Sequence, residues 1–199
     1  MFAKMAEIIP EGEFGSAKVK HFRVDEFESR MSAFRRGGYV PEGQYARLTV
    51  DRTLVMSDTP MEHATNYKFA FKAHGKVLVA GLGLGMVLTA ILEKPSVESV
   101  TVVEISQDVV NLISPHFPSP KLSIITADIF DWRPEKGIKF NVIYFDIWPD
   151  VCVDNIAEIA KLHRAFARRL DRADPKAWMH SWQYDTLKSH RRAEQWRGY

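Results

Sequence analysis

Four short apolar runs separated by helical stretches predict an α/β fold with a doubly wound, mostly parallel sheet. The runs cover residues 77–80, 100–103, 122–125 and 142–145. Strands that are apolar on both faces are covered on both sides by helices, and right-handed crossovers bring their carboxyl ends to one edge. Residues 86–92 and 108–113 supply the first two crossover helices. The remaining observation is a glycine cluster, Gly81-Leu82-Gly83-Leu84-Gly85, directly after the first run.

Composition narrows the possibilities. The 199 residues suit one domain, which would bury about 70% of its unfolded surface. With 46% apolar and 26% charged residues, disorder is excluded. No apolar run reaches the roughly 18–20 residues of a membrane span, and Ile8-Ile9 is cut off by Pro10 before it resembles a signal peptide. A lone cysteine, Cys152, rules out an intrachain disulfide, so a cytoplasmic location is expected. The net charge is +2, but from Lys161 onward ten Lys/Arg stand against four Asp/Glu. Lys161, Arg164 and Arg168 recur at helical spacing, which favours a solvated helix face over a surface for an anionic partner.

Two segments follow from this pattern: a lead-in over residues 1–75 and a core over 76–199. In the lead-in, residues 17–24 read as a strand, and Asp25 caps a helix through Phe27, Met31 and Phe34 that Gly37-Gly38 stops. Residues 45–56 read as a hairpin around Asp51-Arg52, although Arg52 is unusual in a tight primed turn. Asp58 or Thr59 before Pro60 starts a helix that runs to Gly75. In the core, the first four strands are followed by an amphipathic helix carrying Ile156, Ile159, His163, Phe166 and Leu170. A fifth strand over 177–182 and a last helix over 184–195 complete the chain.

The glycine cluster carries the functional argument. Gly81, Gly83 and Gly85 let the backbone turn sharply and let a ligand approach the main chain closely. Glu104 ends the second strand 19 residues beyond Gly85, where a carboxylate suits two vicinal ribose hydroxyls. Asp128-Ile129 ends the third strand and Asp146 the fourth. Any one of these acids would be unremarked as a cap or a solvated loop residue; three at successive strand ends point to a nucleoside site.

Residues 77–146 resemble the class I S-adenosylmethionine-dependent methyltransferase superfamily, in its spermidine-synthase-like branch. The resemblance rests on Val-Leu-Val-Ala-Gly-Leu-Gly-Leu-Gly, Val-Thr-Val-Val-Glu-Ile, Ile-Thr-Ala-Asp-Ile and Phe-Asn-Val-Ile-Tyr-Phe-Asp, in that order and spacing. It implies a Rossmann-like methyltransferase fold that binds S-adenosylmethionine or its decarboxylated form. Gly81, Leu82, Gly83 and Gly85 would pass under the methionine and ribose portions, and Glu104 would hold the ribose. Ile105 would lie on the adenine face, and Asp128, with Ile129 beside it, would accept from the adenine amino group. Asp146 would face the sulfonium, and Asp146 and Asp150 are the candidate catalytic residues.

The departures bear on the reaction. Val79 and Leu84 stand where relatives carry acids, and Asp146-Ile147-Trp148-Pro149-Asp150 exchanges the proline and second aspartate of the polyamine synthases. Methyl transfer to a small-molecule acceptor is therefore expected first, then aminopropyl transfer, then a non-catalytic nucleoside-binding module. Met86 in place of the last fingerprint glycine ranks a nicotinamide cofactor last. Trp148 either walls the acceptor pocket or packs under its loop, and His63 and Tyr67 lie on a helix that could lid the site. Cys152 reads as a small buried apolar residue. Histidine spacing suggests no metal. Trp178, Trp182 and Trp196 near Arg191 and Arg192 read as packing before a nucleic-acid surface. The superfamily sheet has seven strands, so the carboxyl-terminal edge is expected to be abbreviated, with a homodimer covering it.

Overall fold

The computed structural model describes residues 2–33 and 39–197, apart from the side chains of 194–197. Phe34, Gly37, Gly38 and the Trp196 ring therefore lie outside the described residues. Helix α1 (Met5–Ile8) leads into strands β1 (Gly12–Phe14) and β2 (Ala17–Val24). Helix α2 (Glu26–Ser32) opens on a capping box between Asp25 and Glu28, as its sequence predicts. Strands β3 (Gly43–Val50) and β4 (Thr53–Ser57) complete an antiparallel sheet of order β1-β2-β3-β4. The turn between them has positive φ at both Asp51 (49°) and Arg52 (66°), the primed geometry that matches strand twist. Arg52 thus occupies a left-handed position that its side chain disfavours, and the paired strands hold it there.

Helix α3 (Pro60–Lys72) has Thr59 at its N-cap and ends three residues short of Gly75. Asp58 is not the cap. It is buried and accepts from the Met5 N–H at 2.7 Å and the Ala46 N–H at 2.6 Å, tying α1 to β3. Replacing Asp58 by Ala would strand two buried N–H groups and should cost roughly 2–5 kcal/mol, about 5–15 °C in melting temperature. Differential scanning calorimetry checks this, and a shift within 1–2 °C would contradict the clamp.

The core continues through β5 (Gly75–Ala80), α4 (Met86–Ile91), β6 (Val97–Glu104), α5 (Gln107–Ile113) and β7 (Leu122–Thr126). It ends with β8 (Val142–Phe145), α6 (Asn155–Phe166), β9 (Trp178–Ser181) and α7 (Tyr184–Arg197). All five strands are parallel in the order β7-β6-β5-β8-β9. This is the predicted doubly wound α/β fold, with its order reversing between β5 and β8. β5 and β8 are buried along nearly their whole length, as the unbroken apolar runs require.

One hydrophobic core lies on each side of the sheet. The first packs Val77, Val79, Val100 and Tyr144 against α3, α4 and the lead-in residues Ala17 and Leu48. The second packs Leu78, Ile143 and Phe145 against Ile159, Leu162 and Phe166 of α6.

At the opposite end of the sheet from the glycine loop, Asp174 accepts from Asn141 Nδ2 at 2.8 Å and lies 2.7 Å from His74 Nε2. His74, then Asn141, hold this carboxyl down to about 2. A carboxyl held below its unfolded value adds stability above about pH 4 and loses it as pH falls towards 2. The Asp174→Asn variant should therefore have a flatter acid limb in urea melts between pH 2 and 5. An unchanged limb would deny the carboxylate this role.

Candidate functional site

A cleft of about 410 Å³ opens at the carboxyl edge of the parallel sheet. Every parallel strand contributes to it: Gly81–83 after β5, 104–106 after β6, 127–130 after β7, 146–149 after β8, and Trp182 after β9. Leu48, Val50, Val55 and Met56 of the β3–β4 hairpin roof one side. Ligands bind at such an edge because the strand ends there present loops and helix starts to a shared crevice.

The glycine loop is shaped by close neighbours. Gly81 adopts φ 96°, and a Cβ on it would run into the carbonyl oxygen of Asp146. Gly83 has φ 51° and sits against Met56 Sδ, which accepts from the Leu84 N–H at 3.0 Å. The hairpin is thus fastened to the loop through a thioether. Leu84 is fully buried, so the position that is acidic in polyamine synthases here faces core.

Glu104 is nearly buried at the end of β6. Its Oε2 accepts from the Leu82 N–H at 2.7 Å and its Oε1 from the Ser106 N–H at 2.9 Å. The carboxylate thereby holds two loops together. Each carboxylate oxygen keeps a second acceptor direction, so ribose hydroxyls can still be met. Ser106, not Glu104, caps α5, accepting from the Val109 N–H at 3.2 Å. Ile105 is exposed (69%) at the cleft mouth, and Ile129 is buried in its wall. Asp128 Oδ1 accepts from the Phe130 N–H at 2.8 Å.

Asp146 lines the inner end of the cleft, half-buried. Burial pushes its carboxyl up to about 8, and Glu62 adds to the rise. Glu62, on α3, also lines the cleft and is pushed up to about 7 by burial. Asn66, one turn on, is fully buried in the cleft wall. Its Nδ2 donates to the Glu62 carbonyl at 3.2 Å, and its Oδ1 has no partner among the described residues. The nearby Tyr144 hydroxyl is raised well above its ordinary value by burial, Asp146 and Glu62. Among the described residues the lining contains no Lys, Arg or His.

The structure gathers Gly81, Leu82, Gly83, Glu104, Ile105, Asp128, Ile129 and Asp146 around the cleft, while Gly85 stands just behind, opening α4. Asp150 is exposed and outside the lining. Trp148 lines the cleft and donates from Nε1 to Glu158 Oε2 at 2.7 Å. His63 packs on Phe2 in a tilted arrangement, centroids 5.3 Å apart, and Tyr67 is 66% exposed; neither lines the cleft. Helix α3 offers Glu62 and Asn66 instead, an i, i+4 pair that shares one helix face and could have been recognised from that spacing. Cys152 is half-buried, its Sγ 3.7 Å from Asp154 Oδ2, rather than an apolar core residue. Trp182 lines the cleft and Trp178 stacks on Tyr144.

No family model matches the chain. A stretch of 101 residues is 35% identical to a polyamine aminopropyltransferase of Leptospira interrogans serogroup Icterohaemorrhagiae serovar copenhageni (strain Fiocruz L1-130), covering 44% of this chain. The chain spans only 20% of that relative's length. Among solved structures, the Thermotoga maritima spermidine synthase gives a TM-score of 0.48 at 17% identity, covering 82% of this chain and 52% of that one. The CcbJ methyltransferase from Streptomyces caelestis gives 0.45 at 18%, covering 60% and 47%. The plantazolicin methyltransferase BpumL, solved with S-adenosylhomocysteine, gives 0.40 at 18%, covering 54% and 39%. Among the described residues no helix is long and apolar enough to cross a membrane.

Proposed function

We propose that this chain transfers a methyl group from S-adenosylmethionine to the nitrogen of a small amine. The observation that carries this reading is that the carboxyls of Glu62 and Asp146, the first close enough to raise the second, share the lining of a cleft with, among the described residues, no Lys, Arg or His. A protonated amine offers up to three N–H donors and a charge that would offset the burial of both carboxylates. Trp148 and Trp182 would flank it, where aromatic faces favour cations.

The adenosine would lie across the glycine loop, with Glu104 on its ribose and Asp128 and Ile105 at its base. Asp146 is suited to take the amine proton, because a carboxyl raised to about 8 titrates near working pH. The nitrogen lone pair would then attack the methyl carbon while the carbon–sulfur bond breaks. Its electrons return to sulfur, leaving S-adenosylhomocysteine, and the proton passes from Asp146 to solvent.

A second reading is aminopropyl transfer from the decarboxylated cofactor. The specific observation in its favour is that Glu62, Glu104, Asp128 and Asp146 line the cleft with, among the described residues, no cation for a methionine carboxylate. Against it stand buried Leu84 and outlying Asp150. Mass spectrometry of reactions pairing each donor with a panel of mono- and diamines separates the two. Methylated amine with the first donor is expected; product only from the decarboxylated donor would favour the second reading, and no product from either would reject both.

A further inference from the structure

The strongest charge feature outside the cleft is on its flank. Lys161, Arg164 and Arg168 are all exposed, on the side of α6 and its continuation opposite the buried Ile159, Leu162 and Phe166. At 1.5 Å per residue this ridge is about 10 Å long. Lys188, Arg191 and Arg192 are exposed on α7, which packs against α6. Among the described residues, none of these six forms an ion pair with a carboxylate. Helix-dipole stabilisation accounts for Arg164 in the last turn of α6, but not for Arg168 beyond its end or for the α7 cations.

The ridge begins at the rim of the cleft. Lys161 Nζ stands 5.0 Å from the centroid of Phe130, which lines the cleft. One turn earlier, Glu158 holds the Trp148 indole. The charge thus changes sign within a short distance, from acids inside the cleft to unpaired cations beside it.

We propose that the α6–α7 ridge docks the phosphodiester backbone of a nucleic acid alongside the cleft. Three of its cations, on α6 and its continuation, line one helix face and can each meet a phosphate of a single strand. The acidic lining repels phosphate, so the backbone is confined to the ridge. No large apolar side chain is exposed on α6 or α7 among the described residues, which sets this surface apart from membrane-inserting helices.

The test is fluorescence anisotropy of the full chain with a labelled single strand of about 20 nucleotides, at salt between about 50 and 200 mM. Micromolar binding at low salt is expected, weakening steeply as salt rises. The combined change Lys161→Glu, Arg164→Glu, Arg168→Glu should weaken binding at least 30-fold. It should also make the slope of log affinity against log salt shallower by about 2, at roughly 0.7 per phosphate contact. Melting temperature and nucleoside binding should be unchanged. A control reversing Lys20, Arg23 and Arg30, on β2 and α2, should bind like the parent. No binding at low salt, or equal loss in both variants, overturns the proposal. Tighter capture by vesicles containing phosphatidylserine than by the oligonucleotide would overturn the choice of nucleic acid.

Discussion

Exchanging Asp146 for Asn should lower kcat/KM for amine alkylation by about 100- to 10,000-fold, the usual contribution of a positioned general base. The same substitution should stabilise the empty protein above neutral pH. Burial raises this carboxyl to about 8, so between about pH 4 and 8 the folded chain keeps a proton that the unfolded chain has lost. Stability contributed by the neutral form is complete below pH 4 and is lost as pH rises through that window. Asn cannot ionise and removes this share. Allowing for partial exposure, a gain of about 2–3 kcal/mol at pH 8.5 is expected, roughly 5–10 °C in melting temperature, with no gain at pH 4. Glu62 is coupled to the same site, so the acid limb of the parent rate profile should reflect the pair, with apparent values near 7 and 8. A fully active Asn variant, or one that melts lower than the parent at pH 8.5, would remove Asp146 from the mechanism.

The other large effect is expected at Glu104. Losing two hydrogen bonds from ribose hydroxyls to a charged acceptor costs roughly 3–6 kcal/mol, or about 100- to 10,000-fold in affinity for S-adenosylhomocysteine. The Leu82 and Ser106 N–H groups would lose their acceptor as well, so Glu104→Leu should also melt several degrees lower. Glu104→Gln separates the contributions: it preserves volume but turns an amide N–H towards one of those backbone donors, so it too should lose affinity. Glu104→Asp should retain part of the binding. Calorimetric titration beside a thermal melt measures all three. An unchanged dissociation constant in folded Glu104→Leu would remove the ribose assignment.

The sheet and its ligand edge were legible because the signals were local. An apolar run, a glycine turn and a terminal acid lie within about ten residues of one another, and parallel topology follows from repeating that unit. The site's inner end was not legible in the same way. Asp58 carries the signature of a helix cap, yet long-range pairing with Met5 and Ala46 claims it, and Thr59 becomes the cap. On α3, His63 and Tyr67 carry the more reactive side chains, whereas helix rotation presents Glu62 and Asn66 to the cleft. That rotation is set by packing of Phe69 on Tyr144, with centroids 4.3 Å apart and 75 residues between them in sequence. The turn at Asp51-Arg52 shows the same tension: the strands impose a geometry that the residue itself opposes.

The sulfur bridging hairpin and glycine loop would make the proposed nucleoside binding sensitive to oxidants. Met56 is half-buried against the cleft, and its thioether is a weak acceptor for the Leu84 N–H. Peroxide would add one oxygen to that sulfur, giving a polar, bulkier sulfoxide where Gly83 leaves no spare room. The hairpin would be levered away from the loop, and nucleoside affinity would fall until a sulfoxide reductase restored the thioether. Met56→Leu would keep the apolar roof and make nucleoside binding indifferent to peroxide.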